Sequence, residues 1–231
     1  MPKESEQFIG IDADVKRILA DAFQKKIALD YCTQDWVMPD LERVEKELSV
    51  CEKALLDFMD SKRRAFPRFY FVAQNDLLDI LSNGNNPSKV MVHMPKIFQA
   101  IDTLELAENG PDQRPSAKGI HSSVGKEYVE FCEDLQLVDK VESYLQKVID
   151  RMRESIKKIA ADSLKRFKKH TKQEWLGQDP AQVTLLINLC NWVRSVEQAF
   201  KDNNMAEAYD NQCTLLTDLI KMVQGDLDKS M

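Results

Sequence analysis

Glycine and proline are scarce in this sequence, with 7 and 8 among 231 residues. These two residues supply most tight turns, so their scarcity argues against a sandwich or barrel of many short strands. Charged residues make up 30% of the chain and hydrophobic residues 43%, a composition typical of long solvated helices around a sizeable core. The predicted class is therefore mainly α: an elongated bundle of long helices with a small antiparallel β hairpin or sheet.

Long hydrophobic runs are also missing, since no stretch of about eighteen apolar residues occurs. No segment is therefore predicted to span a membrane, and no membrane partner is expected. The net charge of −6 disfavours nucleic acid as the main partner. The five cysteines are odd in number and widely spaced, and no signal peptide precedes them, which indicates reduced thiols in the cytoplasm.

Recognisable catalytic motifs are absent as well. No glycine-rich loop precedes a Lys-Ser or Lys-Thr pair, no Gly-x-Ser-x-Gly motif occurs, and no carboxylate pair stands out as acid and base. His93, His121 and His170 have no partners at metal-ligand spacing. Cys132 and Cys190 fit small buried hydrophobic residues better than nucleophiles. We predict no catalytic, cofactor-binding or metal-binding residue, and no enzymatic activity in this chain.

The first part of the chain is predicted to be helical over residues 11–66. Apolar residues at helical spacing predict one helix from Asp12 to about Cys32, preceded by Met1 to Gly10 as a severed helix end or flexible terminus. A second helix of 28 residues, about 42 Å long, is predicted over Pro39–Phe66. Its apolar residues form a seven-residue repeat of the coiled-coil kind: Leu41, Val44, Leu48, Cys51, Leu55 and Phe58.

An aromatic corner follows this long helix. Proline lacks an N–H donor and pushes the preceding residue towards extended geometry, so the helix should end there. The aromatic and β-branched run over Phe69–Val72 then favours a strand. We predict a structural role for the whole corner, with Arg68 and Tyr70 structural and not catalytic. The corner consists of Phe66, Pro67, Arg68, Phe69, Tyr70 and Phe71.

Shorter elements are predicted in the middle of the chain. Asn75 fits the N-cap of a short helix that ends near Gly84. Pro87 fits the first turn of a following helix that extends to Ile101 and that Pro95 should kink or break.

A small sheet is predicted next. Leu104–Leu106 reads as a short strand, and the turn-forming residues from Ala107 to Gly119 predict a long mobile loop. Ile120–Phe131 alternates around a Ser-Val-Gly-Lys turn and predicts an antiparallel hairpin, which the Phe69–Val72 strand would extend into a minor sheet. The candidate hinges of the chain are Pro95, Gly110 and Gly119.

The remainder, residues 136–231, is predicted to be helical. A third long helix runs from Val138 to about Phe167. Asp179-Pro180-Ala181-Gln182 resembles a capping box that starts another helix, and a final helix stops at Gly225. Together with the helical part 11–66 and the mixed part 67–135, these helices are predicted to form a single elongated piece over residues 1–231.

The third long helix carries a strong excess of positive charge. Nine basic residues face only Glu154 and Asp162 over the same span. Either this is an ordinary solvated helix face, or it is a docking surface for an acidic partner or a neighbouring module. The nine residues are Arg151, Arg153, Lys157, Lys158, Lys165, Arg166, Lys168, Lys169 and Lys172.

Several stretches resemble the linker region of dynein heavy chains. The most specific are Cys51–Leu55, Ser61–Phe71 and Asp76–Asn85, and the wording of the last is most similar to the axonemal branch. Three further stretches resemble the family in the same order: His93–Ile101, Gly125–Phe131 and Glu174–Val183. Leu219–Ser230 resembles the run just before the first AAA+ module.

The resemblance implies a mechanical role. In that family the linker is a mostly helical curved rod that arches over a ring of AAA+ modules and bends or straightens as ATP is bound and hydrolysed. The chain would then be a catalytically inert lever, with ATP and Mg in AAA+ modules beyond residue 231. Its implied partners are the AAA+ ring of the same heavy chain and other dynein subunits, with microtubules reached only through other parts. The implied location is the cytoplasm and cytoskeleton, in the axoneme of a cilium or flagellum.

Two other interpretations stay open at this point. The chain could be a free-standing helical scaffold or adaptor whose seven-residue repeat, beginning near Pro39, pairs with a partner helix. An enzyme is the third interpretation, and it rests on cysteines and histidines alone.

Overall fold

A computed structural model describes residues 2–107, 114–170 and 172–224. The chain divides into two compact units, residues 1–79 and 80–231. The predicted mainly α class with a small antiparallel sheet is confirmed, whereas the single elongated piece stays a prediction. In the described part, no helix is long and apolar enough to cross a membrane.

The helices and strands follow one another in this order. The first unit holds α1 (Pro2–Lys25), α2 (Ala28–Cys32), α3 (Val37–Ala65) and a 3₁₀ helix (Pro67–Phe71). The next helix, α4 (Gln74–Ser82), begins in the first unit and ends in the second. The second unit then holds α5 (Pro87–Val90), a 3₁₀ helix (Met91–His93), α6 (Met94–Ile97), β1 (Ile101–Ala107), β2 (Ser116–Ser122), β3 (Tyr128–Gln136), α7 (Val141–Phe167), α8 (Lys172–Leu176), α9 (Ala181–Lys201) and α10 (Met205–Gln224).

The first helix differs from its prediction at both ends. Residues 2–10 belong to α1, so this segment is helical, as a helix end would be, and is not a flexible terminus. The predicted helix to Cys32 is broken because Lys26 adopts a left-handed φ of 60°, a conformation that a right-handed helix cannot contain. The chain resumes as α2 after this break.

Helices α1 and α3 pack against each other through a small apolar core. Its buried members are Ile11, Ile18, Tyr31, Val37 and Val44. The Tyr31 hydroxyl donates to the carbonyl of Ile18 at 2.8 Å, which satisfies its polar atom inside this core. The 29 residues of α3 confirm the predicted long helix, and Val44 of its seven-residue repeat lies against α1.

Charged side chains form a ladder along the same helix pair. Arg17 contacts Asp40 at 2.8 Å, and Arg43 contacts Asp14 at 2.8 Å. The hydrogen bond from Arg17 lowers the pKa of the Asp40 carboxyl, because it stabilises the charged form. The four side chains are partly exposed, so solvent weakens these ion pairs and the ladder orients the helices more than it stabilises them.

The sheet has the strand order β1-β2-β3 with both pairs antiparallel. The strand that joins the β2–β3 hairpin is β1. Residues Pro67–Phe71 form a 3₁₀ helix, so the predicted strand over Phe69–Val72 is wrong. The predicted loop Ala107–Gly119 also ends too late, because β2 begins at Ser116 and Gly119 lies within the central strand. Part of that loop, 108–113, lies outside the described residues.

The predicted hairpin between β2 and β3 is confirmed. Its turn places Gly125 at φ 75° and Lys126 at φ 51°, the left-handed region in which glycine carries no steric cost. The Ser122 hydroxyl donates to the carbonyl of Val124 at 2.6 Å and accepts from the amide of Glu127 at 2.9 Å, which closes the turn.

The predicted helix over Pro87–Ile101 is replaced by α5, a 3₁₀ helix and α6. The break falls at Met91–His93, ahead of Pro95 and not at it. Pro95 lies in the first turn of α6, where its missing N–H costs no hydrogen bond. Ile101 begins β1 instead of ending a helix.

Helix α7 confirms the third long helix, although it starts at Val141 instead of Val138. Its C-terminal half packs on a cluster centred on Trp175, Val183 and Ile187, which are buried. The indole N–H of Trp175 donates to the Ser163 hydroxyl at 2.9 Å.

The predicted capping box before α9 is wrong. Helix α9 begins at Ala181, and no side chain of its N-cap residue bonds the first turn. The carboxylate of Asp179 pairs with Arg166 instead. The Ala181 amide donates to the Glu127 carboxylate at 2.7 Å, so a distant acidic residue caps this helix and complements its dipole. The predicted stop of the last helix, Gly225, lies outside the described residues.

Candidate functional site: an aromatic corner and a basic helix face

The aromatic corner is a tight 3₁₀ turn that ends α3. Pro67 forces Phe66 out of helical geometry, to φ −135° and ψ 94°. Three backbone hydrogen bonds then hold the turn: Phe66 N–H to Lys62 C=O at 3.0 Å, Phe69 N–H to Phe66 C=O at 3.0 Å, and Val72 N–H to Phe69 C=O at 3.2 Å. Aromatic side chains favour strands, but here the local turn prevails because Pro67 presets a helical φ.

The corner divides into a buried half and an exposed half. Phe66 and Phe69 are 0% exposed, and their rings meet edge to face at 4.9 Å. Tyr70 and Phe71 are 58% and 82% exposed. Arg68 is exposed as well. The buried pair fits the predicted structural role, whereas the exposed pair leaves most of its ring surface in solvent.

The predicted hinges lie in different surroundings. Pro95 is exposed in α6 between buried Met94 and Ile97. Gly119 sits where an added Cβ would approach Tyr128 Cε2 and the Val129 carbonyl oxygen to 2.6 Å, so the strand is packed closely there. Gly110 lies outside the described residues. Bending at these positions stays a prediction.

Two arginines of the basic set are engaged within the second unit. Arg151 is 19% exposed and contacts Glu133 of β3 at 2.9 Å. Arg166 pairs with Asp179, whose side chain is only 2% exposed. Because a buried carboxylate needs its partner, Arg166 supports the fold and is not a free docking group.

The rest of the basic set is mostly exposed. Lys165 contacts Asp162 at 3.0 Å, one turn away. Lys157 lies in α7 and Lys168 is the residue that follows its last turn. They are eleven residues apart, about three helical turns, so their Cα atoms lie on the same side about 16 Å apart. The side chain of Lys172 lies outside the described residues. The exposed cations that remain beyond Lys165 are Arg153, Lys157, Lys158, Lys168 and Lys169.

A polar cluster around Cys132 was not predicted. The Arg151 guanidinium lies 3.5 Å from the Cys132 sulfur, and this hydrogen bond, with that of Ser155, lowers the pKa of the thiol. The Cys132 amide donates to the Ser155 hydroxyl at 2.9 Å, which in turn donates to the Arg151 carbonyl at 2.8 Å. The sequence carries no signal for this cluster because its members come from a strand and a helix that only the fold brings together.

Metal binding finds no support in the described ranges. No group of three or more His, Cys, Asp or Glu side chains is placed there to hold a metal ion. His121 instead contacts Glu105 on the neighbouring strand at 2.8 Å.

The family profile described as "Dynein heavy chain, N-terminal region 2" matches residues 1–163. The chain belongs to the dynein heavy chain family. It is 42% identical to the dynein alpha chain of the flagellar outer arm of Chlamydomonas reinhardtii, 35% to the ciliary dynein beta chain of Heliocidaris crassispina and 32% to human dynein axonemal heavy chain 17, each over 99% of this chain. It spans 5% of the length of each of these heavy chains.

The dynein resemblance found in the sequence is thus confirmed at the level of the family. Relatives of flagellar, ciliary and axonemal type are among the matches, and so is a cytoplasmic dynein 2 heavy chain of Caenorhabditis elegans at 30% identity. The matching region is described as N-terminal, which does not support the expected position directly before the first AAA+ module.

Proposed function

We propose that this chain is a mechanical linker element of an axonemal dynein heavy chain and couples ATP-driven changes of an AAA+ ring to movement along microtubules. The observation that carries the proposal is the similarity over 99% of the chain to flagellar and ciliary dynein heavy chains. The proposed location is the cytoplasm and cytoskeleton, in the axoneme of a cilium or flagellum. The proposed partners are the ring of the same heavy chain and other dynein subunits, with microtubules bound by other parts.

The long helices support a mechanical role. Helix α3 has 29 residues and α7 has 27, which gives rods of about 43 and 40 Å. Each is held along one face by buried apolar contacts, and such close-packed interiors deform little under load. Within each unit, a displacement at one end of a rod is therefore transmitted to the other end.

The aromatic corner provides the test of the lever. In the full heavy chain, Phe69→Leu and Phe69→Ala loosen the joint at the end of α3 by increasing amounts. A lever predicts that gliding velocity falls in that order while the ATPase rate of the motor is retained. Phe23→Ala is the matched control, because Phe23 is 83% exposed and its removal leaves no cavity. Unchanged gliding in both Phe69 variants would contradict the lever.

The exposed basic residues in α7 and just after its C-terminal end are proposed to meet an acidic surface of the ring or of an adjacent chain. The double variant Lys168→Glu with Lys169→Glu tests this contact without touching the arginines that hold the fold. We expect slower gliding and a weaker dependence of gliding on ionic strength. Lys46→Glu with Lys53→Glu, on the exposed side of α3, is the matched control. If the Lys168–Lys169 variant glides like the control, the basic face is only a solvated surface.

Catalysis is proposed to lie outside this chain, with ATP and Mg held by AAA+ modules of the parent protein. The isolated chain should then fail to bind a labelled ATP analogue with Mg. Saturable binding would contradict this part of the proposal.

The adaptor alternative loses its main physical support. In this alternative the repeat of α3 pairs with a partner helix, but α1 packs along the same stripe at Val44 and Cys51. Light scattering after size exclusion separates the two functions, since pairing through α3 requires a dimer. A monomer is expected from a linker element.

A further inference from the structure

The start of helix α9 relies on a cap from elsewhere in the fold. Its own N-cap residue is Pro180, whose described side chain makes no hydrogen bond to the first turn. The Ala181 amide donates instead to the Glu127 carboxylate at 2.7 Å, across 54 residues of sequence. A carboxylate at this position satisfies an amide that the helix leaves unbonded and complements the helix dipole. The first turn of α9 therefore depends on a residue at the end of the β2–β3 turn.

Glu127 is held in place by the turn that carries it. Its amide donates to the Ser122 hydroxyl at 2.9 Å, and its carbonyl accepts from the Ser122 amide at 2.9 Å. Lys126 beside it adopts φ 51°, a left-handed conformation that is unfavourable for a residue with a side chain. Such a conformation persists where the surrounding contacts hold it. The backbone of Glu127 is thus fixed before its carboxylate bonds α9, so little backbone entropy is lost in making the contact.

The contact lies beside a groove. A cavity of about 600 Å³ lies between β3, α7 and the segment that enters α9, and residues 128–132 and 178–180 are among those that line it. Glu127 directly precedes the first of these segments and Ala181 directly follows the second. Their hydrogen bond therefore joins the two sides of the groove. A single bond of a partly exposed carboxylate is weak enough to open and close at equilibrium.

Helix α9 has a second attachment, which is to α7. Val183 and Ile187 share a buried core with Trp175 against the C-terminal half of α7, and Asp179 at the entry to α9 pairs with Arg166 of α7. Helix α10 packs on α9, so the two helices can move together about this attachment. The core covers only part of α9, because three of its leucines are exposed: Leu185, Leu186 and Leu189.

We propose that Glu127 is a releasable latch on α9. While its carboxylate bonds the Ala181 amide, α9 is held towards the sheet and the groove is bridged. When this bond opens, α9 and α10 swing about their attachment to α7. By thermodynamic linkage, anything that displaces the β2–β3 turn also releases α9, and anything that moves α9 releases the turn. The latch acts within the second unit, so the inference does not depend on the proposed lever.

The test is a distance measurement by pulsed electron spin resonance in the full heavy chain. Nitroxide-bearing amino acids replace Val124 in the turn and Phe200 near the far end of α9, which are 85% and 68% exposed. Glu127→Ala should enlarge a second distance population at least about fivefold, because loss of a helix cap shifts an equilibrium by about that factor. Glu130→Ala, on an exposed carboxylate of β3, is the matched control and should change nothing. An unchanged distribution in Glu127→Ala overturns the latch.

A second pair of labels shows which part moves. The distance from Val124 to Lys157, which is exposed on α7, should stay the same in Glu127→Ala because the sheet remains packed on α7. A changed distance would mean that the turn moves and α9 does not, which contradicts the proposal. Glu127→Gln keeps an acceptor oxygen of the same reach and should release α9 less than Glu127→Ala. Equal release in both variants would rule out a hydrogen-bonded latch.

Hydrogen exchange at the Ala181 amide checks that the contact forms in solution. Glu127→Ala should accelerate this exchange by about fivefold or more, since the amide loses its acceptor. If the exchange rate is the same with and without the Glu127 carboxylate, the bond is not made and the proposal is wrong.

Discussion

The buried half of the aromatic corner makes a quantitative prediction. Phe69→Ala removes a ring that is 0% exposed and packs edge to face on Phe66 at 4.9 Å. Truncating a buried phenylalanine costs about 3 to 5 kcal/mol, which includes the lost aromatic contact and the remaining cavity. A whole domain is stable by only about 5 to 15 kcal/mol, so the first unit should become marginal. Phe71→Ala, two residues on, should cost less than about 0.5 kcal/mol because Phe71 is 82% exposed.

Hydrogen exchange at the amides of Phe69 and Val72 measures this difference locally. Both amides are bonded within the corner, so their protection reports the opening free energy of this turn. Phe69→Ala should lower their protection by two or more orders of magnitude, and Phe71→Ala should leave it unchanged. Guanidinium unfolding of the same proteins gives the global loss. If the two variants lose similar stability, the division into a buried and an exposed half is wrong.

Three further predictions concern the second unit. Gly119→Ala should destabilise by about 1 to 3 kcal/mol in denaturant unfolding, because the new methyl group meets atoms at 2.6 Å, whereas Gly10→Ala in open space should be neutral or stabilising. Arg166→Ala should cost about 3 kcal/mol in the same assay, since it strands a buried carboxylate, and removing both partners should recover part of the loss. Alkylation of Cys132 should reach its half-maximal rate at a lower pH than alkylation of an ordinary thiol, because the Arg151 guanidinium lowers the thiol pKa and the thiolate is the reactive form. Arg151→Ala should move that midpoint to higher pH. An unmoved midpoint would mean that Arg151 does not cause the lowered pKa.

Much of the secondary structure was accessible from local patterns. The two long helices follow from apolar residues at a spacing of three and four, which is a property of consecutive residues alone. The β2–β3 hairpin follows from alternation around a turn in which Gly125 accepts a left-handed φ. The dynein resemblance was likewise carried by continuous strings such as Asp76–Asn85.

The errors share one physical cause. The corner was expected to be a strand because aromatic residues favour strands, yet β pairing requires a neighbouring strand that local sequence does not specify. The capping box at Asp179 failed because the fold offers this carboxylate to Arg166 and supplies Glu127 to the helix end instead. Pro95 was expected to break a helix, but the chain places it at a helix start, where it is tolerated.

The candidate site shows the same division between local and tertiary information. The sequence alone identified the basic residues of α7 as a set, since charge is a property of composition. The sequence did not show that Arg151 and Arg166 support the fold whereas Lys157 and Lys168 face solvent. That difference depends on what packs against each side of the helix.

The sequence by itself determined the mainly α class, the long helices, the hairpin and the dynein family, because each is written in consecutive residues. Only the tertiary structure decided which half of the aromatic corner is buried, which cations are engaged and how Cys132 comes to lie beside Arg151. These features depend on contacts between residues far apart in the chain, and the free energy of burying or pairing a side chain is set by those neighbours and not by the residue itself.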